Sequence, residues 1–274
     1  MWSRFIWLFI LFILGRHLAF PSSDRYIELA DSADFYIAKE NWNKAEEKIL
    51  EALRLEPANF SNSLLLANLG LIKINKGEPK EAIEALSLGL NIAPSSTVLL
   101  NNRAHAYLIA NNISLAIEDL DRSLEIDSIQ EWTLSTRGFL YLQESKMEEA
   151  EKLFIKINQN FPNNSSAFSG LAAIEEKRGD LEAAKKSYLQ ALDLNPDDED
   201  TREAFIFLLI TSEEYARARM EIKEALNKNP DNPMYYLLRG YLHRLNYLTD
   251  EATADKKIAL SKGISPDVAN SFIP

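Results

Sequence analysis

The chain repeats one pattern of small, bulky and polar positions. Ala45, Ala82, Ala116, Ala150, Ala184, Ala218 and Ala252 are separated by 37 residues once and by 34 residues five times. Four residues after the alanine stands a bulky side chain, as at Leu120, Phe154 and Tyr188. Seven residues after it comes Ala52, Gly89, Ser123, Ile157, Ala191, Ala225 or Ala259. Steps of four and seven return to the same face of a helix. Twelve residues before the alanine another small residue recurs, Ala33, Gly70, Ala104, Gly138, Ala172 and Gly240, with Ile206 the exception. Twelve after it stand Pro57, Pro94, Pro162, Pro196 and Pro230, with Ser128 and Ile264 in the other two copies. Proline ends a helix. Each copy is therefore expected to hold two antiparallel helices, the small positions letting them approach closely. Gly77, Asn111 and Gly179 fall where the first helix must stop, and these residue types tolerate a left-handed cap.

The clearest copies read Leu134-x2-Arg137-Gly138-x2-Tyr141…Ala150-x3-Phe154…Pro162 and Phe168-x2-Leu171-Ala172…Ala184-x3-Tyr188…Pro196. This resembles the tetratricopeptide repeat, a 34-residue helix–turn–helix unit. Seven consecutive copies are placed at 26–59, 63–96, 97–130, 131–164, 165–198, 199–232 and 233–266. The resemblance implies an all-α right-handed solenoid of antiparallel helix pairs, in which stacked neighbours bury what one pair cannot. Three extra residues within Pro57–Ser63 predict a longer loop, not a domain boundary. Repeat six departs at Ile206. Repeat seven departs at Lys256, where an internal copy is apolar, and reads as a self-capping end. The tail at 267–274 is expected to be too short for a capping helix.

Residues 1–20 are of another kind. Phe5–Leu14 is an uninterrupted apolar run of ten preceded by Arg4. It fits the apolar region of an export signal and is short for a membrane span. Gly15 and Ala19, the small residues available for cleavage, lack a small partner two positions earlier. The segment is read as a cleaved export signal, which places the chain in the periplasm or outside the cell. An uncleaved single-pass anchor in the membrane is the alternative, and a buried N-terminal helix a third.

Composition then narrows the chemistry. With 30 basic and 41 acidic residues the net charge is −11, against nucleic-acid binding as a general role. There is no cysteine, and the three histidines stand far apart at 17, 105 and 243. No catalytic motif, metal site or cofactor-binding sequence appears, so neither enzymatic activity nor a cofactor is expected. Acid runs such as Asp197–Asp200 are read as solvated helix starts that complement the helix dipole. Arg103 and Arg239 each precede an aspartate, Asp119 and Asp255, by sixteen residues, which predicts ion pairs between the two helices of a repeat.

What remains is binding. In proteins that this chain resembles, the first helices line a concave groove that holds a peptide or partner segment. The matching positions here include Asn68, Asn101, Asn102, His105, Trp132, Thr136 and Phe139, with Ser169, Gly170, Glu203 and Phe207 further along. Asn68 and Asn102 are one period apart, and stacked amides can hold an extended backbone. Trp132 and Phe139 are read either as an aromatic anchor beside them or as core. One subgroup of the family clamps the carboxylate tail of cytosolic chaperones with Lys and Arg. The clamp positions here hold Ala30, Asp34, Asn68, Val98 and Asn102, so that function is not carried over.

Overall fold

A computed structural model describes residues 22–274. The N-terminal apolar segment and its alternative readings lie outside the described residues. Every element among the described residues is a helix. The pairs run α1 (Asp24–Ala38) with α2 (Trp42–Leu55), α3 (Asn62–Asn75) with α4 (Pro79–Ile92), and α5 (Thr97–Ile109) with α6 (Ile113–Ile126). They continue with α7 (Glu131–Gln143) and α8 (Met147–Asn160), then α9 (Ser165–Arg178) and α10 (Leu181–Leu194). The last are α11 (Glu199–Thr211) with α12 (Tyr215–Lys228), and α13 (Pro233–Leu245) with α14 (Thr249–Ser261), followed by α15 (Pro266–Phe272).

Local chemistry explains where these helices begin and end. Ser23, Asn41, Ser96, Asn164, Asp180, Asp198, Asn232 and Ser265 each accept a hydrogen bond from a backbone N–H of the following first turn. Pro79, Pro233 and Pro266 stand at first-turn positions, where no donor is needed. The turn inside each pair is built once and reused. Glu40, Gly77, Asn111, Ser145, Gly179, Glu213 and Tyr247 all have positive φ, between 53° and 83°. The next residue's N–H reaches back five residues to a carbonyl, as from Asn41 to Tyr36 at 2.9 Å and from Lys146 to Tyr141 at 2.8 Å. That bond closes the helix end and holds even a tyrosine or glutamate in the left-handed region.

The chain divides into two compact units, one ending at Ser128 and the other running from Ile129 to Pro274. The division falls where Ser128 replaces the helix-ending proline. The longer loop is at Glu56–Ser61, between α2 and α3 and inside the first unit. Asn62 anchors it, donating to the Glu56 carbonyl at 2.8 Å and accepting from the Tyr26 hydroxyl at 2.9 Å.

Within each unit the two helices of a pair pack together, each second helix packs on the next first helix, and first helices also touch, as α3 with α5 and α7 with α9. The alanine column is fully buried, from Ala45 to Ala218. In the second unit Phe154 of α8 is wedged between two glycines. A Cβ on Gly138 of α7 would lie 2.8 Å from its ring, and one on Gly170 of α9 would lie 2.3 Å from it.

The C-terminal tail differs from expectation. Its residues form α15, which packs on α13 and α14. Ile264, Ala269 and Ile273 are buried with Leu237, Ala252 and Ala259. Lys256 donates to the Ile273 carbonyl, so the polar position in α14 is used to hold the cap. Seven residues suffice because packing, not intrinsic propensity, supplies most of a short helix's stability.

Candidate functional site

The first helices of successive pairs carry the positions predicted to meet a partner. In the first unit Asn68 is on α3, and Asn101, Asn102 and His105 are on α5, all four half-buried. The two helices are in contact, which brings Asn68 and Asn102 onto equivalent places of adjacent helices. Asn68 is already engaged: its amide donates to Asp34 Oδ1 on α1 at 3.1 Å. Burial, with Asp31 nearby, raises the Asp34 carboxyl above its usual range. Burial lowers the His105 imidazole, so it is uncharged at neutral pH.

In the second unit the predicted residues are on α7. Trp132 and Phe139 are half-buried, and Thr136 is buried, only 7 % exposed. The Phe139 ring meets Phe154 edge-on with centroids 5.0 Å apart, so one of its faces belongs to the core. Gly170 is likewise turned inward, against the same Phe154. These residues are held in place by packing because the repeat step that aligns them also points part of the helix face at the next pair.

Further along the unit lies a group only partly anticipated. Phe207 of α11 stacks near Tyr241 of α13, centroids 6.3 Å apart, and Phe272 of α15 meets both edge-on at 5.9 and 5.6 Å. Phe207 and Tyr241 are one 34-residue step apart, a signal present in the sequence. Phe272 was hidden because its segment was read as a tail. Beside Phe207 on the same helix, burial pushes the Glu203 carboxyl up to about 7, with Asp200 and Glu199 adding repulsion; a hydrogen bond from Asn232 at 2.8 Å opposes the shift.

The predicted ion pairs are present. Arg103 binds Asp119 through two hydrogen bonds of 2.7 and 2.8 Å, and Arg239 binds Asp255 at 2.9 and 2.6 Å. Both aspartates are buried. Asp198 caps α11 with Glu199 and Asp200 in its first turn, which is where the acid run was expected to serve. Among the described residues no cluster of metal-ligating side chains occurs, and no helix is long and apolar enough to cross a membrane.

Comparison with known proteins agrees with this geometry. The tetratricopeptide repeat family matches residues 65–96 and 98–130. The chain is built of tetratricopeptide repeats. A Domain of unknown function (DUF7017) family matches residues 131–234, within the second unit. A tetratricopeptide repeat protein from Parabacteroides merdae is similar at TM-score 0.79 and 27 % identity, over 92 % of this chain and 98 % of that one. Two curated human proteins are also similar. RNA polymerase II-associated protein 3 is 25 % identical over 77 % of this chain, and peptidyl-prolyl cis-trans isomerase FKBP4 is 26 % identical over 62 %. The chain spans only 28 % and 38 % of their lengths. Tetratricopeptide repeats support a protein–protein interaction scaffold, and protein partners are the class this fold suggests.

Proposed function

We propose that the chain is a non-enzymatic scaffold acting outside the cytoplasm, which holds an extended segment of a protein partner along the face made by its first helices. The observation that supports this most directly is the half-buried polar row Asn68, Asn101, Asn102 and His105 on the contacting helices α3 and α5. Amides of this kind offer donors and acceptors that suit a peptide backbone, whatever its side chains. Asp34 beside Asn68 disfavours a carboxylate terminus and favours a neutral or basic segment. Export is supported by the apolar run Phe5–Leu14 behind Arg4. The absence of a paired small residue before Gly15 or Ala19 supports the second reading, a membrane-tethered assembly or export factor with the segment retained.

Two measurements test these readings. The chain with N102A and H105A, compared with the unaltered chain, should lose partners captured by cross-linking in the native compartment. An unchanged set of partners would move the site off this face. N-terminal sequencing of the processed protein separates the two localisations. A start at or beyond Arg16 supports the soluble exported form, and Met1 retained in the membrane fraction supports the tether.

A further inference from the structure

The second unit holds a cleft that is basic in an otherwise acidic chain. It lies between α12 and α13 and encloses about 280 Å³. Its apolar lining is Ile222, Leu226 and Leu242, of which Ile222 and Leu242 are buried core residues. Around them stand Arg219 and Lys223 from α12, and Arg239 and His243 from α13. Each pair is four residues apart, so each forms a row along its helix facing the cleft.

The four side chains differ in how they are held. Asp255 takes Nε and Nη2 of Arg239 and lies 3.3 Å from His243 Nδ1. That carboxylate fixes Arg239 against the cleft, whereas His243 Nδ1 makes no hydrogen bond. Arg219 and Lys223 are exposed, and among the described residues no carboxylate lies within ion-pair distance of either. No acidic residue lines the cleft.

We infer that this cleft docks an acidic segment of a partner protein, seating one apolar side chain on Ile222, Leu226 and Leu242 with flanking carboxylates on Arg219 and Lys223. The volume is below the usual range of small-molecule pockets, roughly 300–1,000 Å³, and fits a single side chain. An apolar floor inside a cationic rim requires both characters in one ligand. The net charge of −11 repels acidic peptides in general, so attraction must come from this local cluster. The site involves a second helix and stands apart from the face proposed above.

The test uses the full chain and a fluorescein-labelled peptide bearing one leucine between two pairs of glutamates. Saturable binding is expected, weakened at least about tenfold by R219E/K223E, equivalent to about 1.4 kcal/mol. R219Q/K223Q should weaken it less, and added salt should weaken it in the unaltered chain. The first-helix variant N102A/H105A should bind this peptide unchanged, which separates the fate of this cleft from that of the other face. No saturable binding would overturn the inference. So would equal binding of a peptide with glutamines for glutamates, or equal binding by a correctly folded R219E/K223E chain. Equal binding of a peptide with serine for leucine, displaced by inorganic phosphate, would make the cleft a small-anion site and overturn the peptide assignment.

Discussion

Gly170→Ala tests whether the Phe154 wedge sets the spacing of α7, α8 and α9. On helix propensity alone the substitution stabilises, since alanine is better than glycine by about 1 kcal/mol inside a helix. Here the new Cβ would come 2.3 Å from Cε1 and Cζ of Phe154, a fully buried ring. The ring has little room to retreat. Gly138 crowds the same Cζ and Cε1, where an added Cβ would be 2.8 Å away, and Phe139 meets the ring edge-on at 5.0 Å. Overpacking of this kind costs about 1–3 kcal/mol, and the contact is short enough for the upper half of that range. The net expectation is a loss of roughly 1–2 kcal/mol. In a Phe154→Ala background all the obstructing ring atoms, Cδ1 at 2.5 Å included, are gone, and Gly170→Ala should become stabilising. The sign reversal corresponds to a coupling of about 2–3 kcal/mol between the positions. Thermal unfolding midpoints of the four chains supply the test, at about 2–4 °C per kcal/mol for a protein of this size. Midpoints are preferable to fitted free energies because repeat arrays need not unfold in one step. If Gly170→Ala raised the midpoint equally in both backgrounds, the wedge would not be what sets this spacing.

Two further outcomes follow from buried charge. Arg103→Met removes both hydrogen bonds to Asp119, whose side chain is 6 % exposed, and should cost about 3 kcal/mol; adding Asp119→Leu should restore part of it, and strictly additive losses in chemical denaturation would refute the pairing. Glu203 is raised to about 7 in the folded chain, chiefly by burial, so between its unfolded pKa of about 4.3 and pH 7 the folded state carries the extra proton and stability falls as pH rises. Glu203→Gln keeps the acceptor for Asn232 and should raise the melting midpoint at pH 8 while changing it little at pH 4; parallel melting curves for both chains across that range would refute the assignment.

The repeat register was legible because a residue's role in this fold recurs at a fixed step. Ala150, Phe154 and Ile157 occupy one helix face by spacing alone, and the pairs Arg103–Asp119 and Arg239–Asp255 follow from a sixteen-residue offset between paired helices. The turn geometry was legible only in part. Gly77, Asn111 and Gly179 announce a left-handed residue, whereas Glu40, Ser145, Glu213 and Tyr247 adopt the same conformation because the returning hydrogen bond imposes it. The site was less legible still. Which half of a first helix meets solvent depends on how far its neighbours cover it, so Thr136 and Gly170 were assigned to an open face and are buried.

By itself, the sequence determined an array of helix pairs recurring every 34 residues, and the small, bulky and proline positions of that period resemble the tetratricopeptide repeat, because each position keeps one packing role from copy to copy. Tertiary structure alone decided three things. It turned the tail at 267–274 into a cap built on the seven-residue α15, since burial of Ala269 and Ile273 offsets the weakness of so short a helix. It divided the array at Ser128. It also gathered Arg219, Lys223, Arg239 and His243 around one apolar cleft. Residues twenty apart in sequence meet there because two helices pack, and no periodicity within either helix records that meeting.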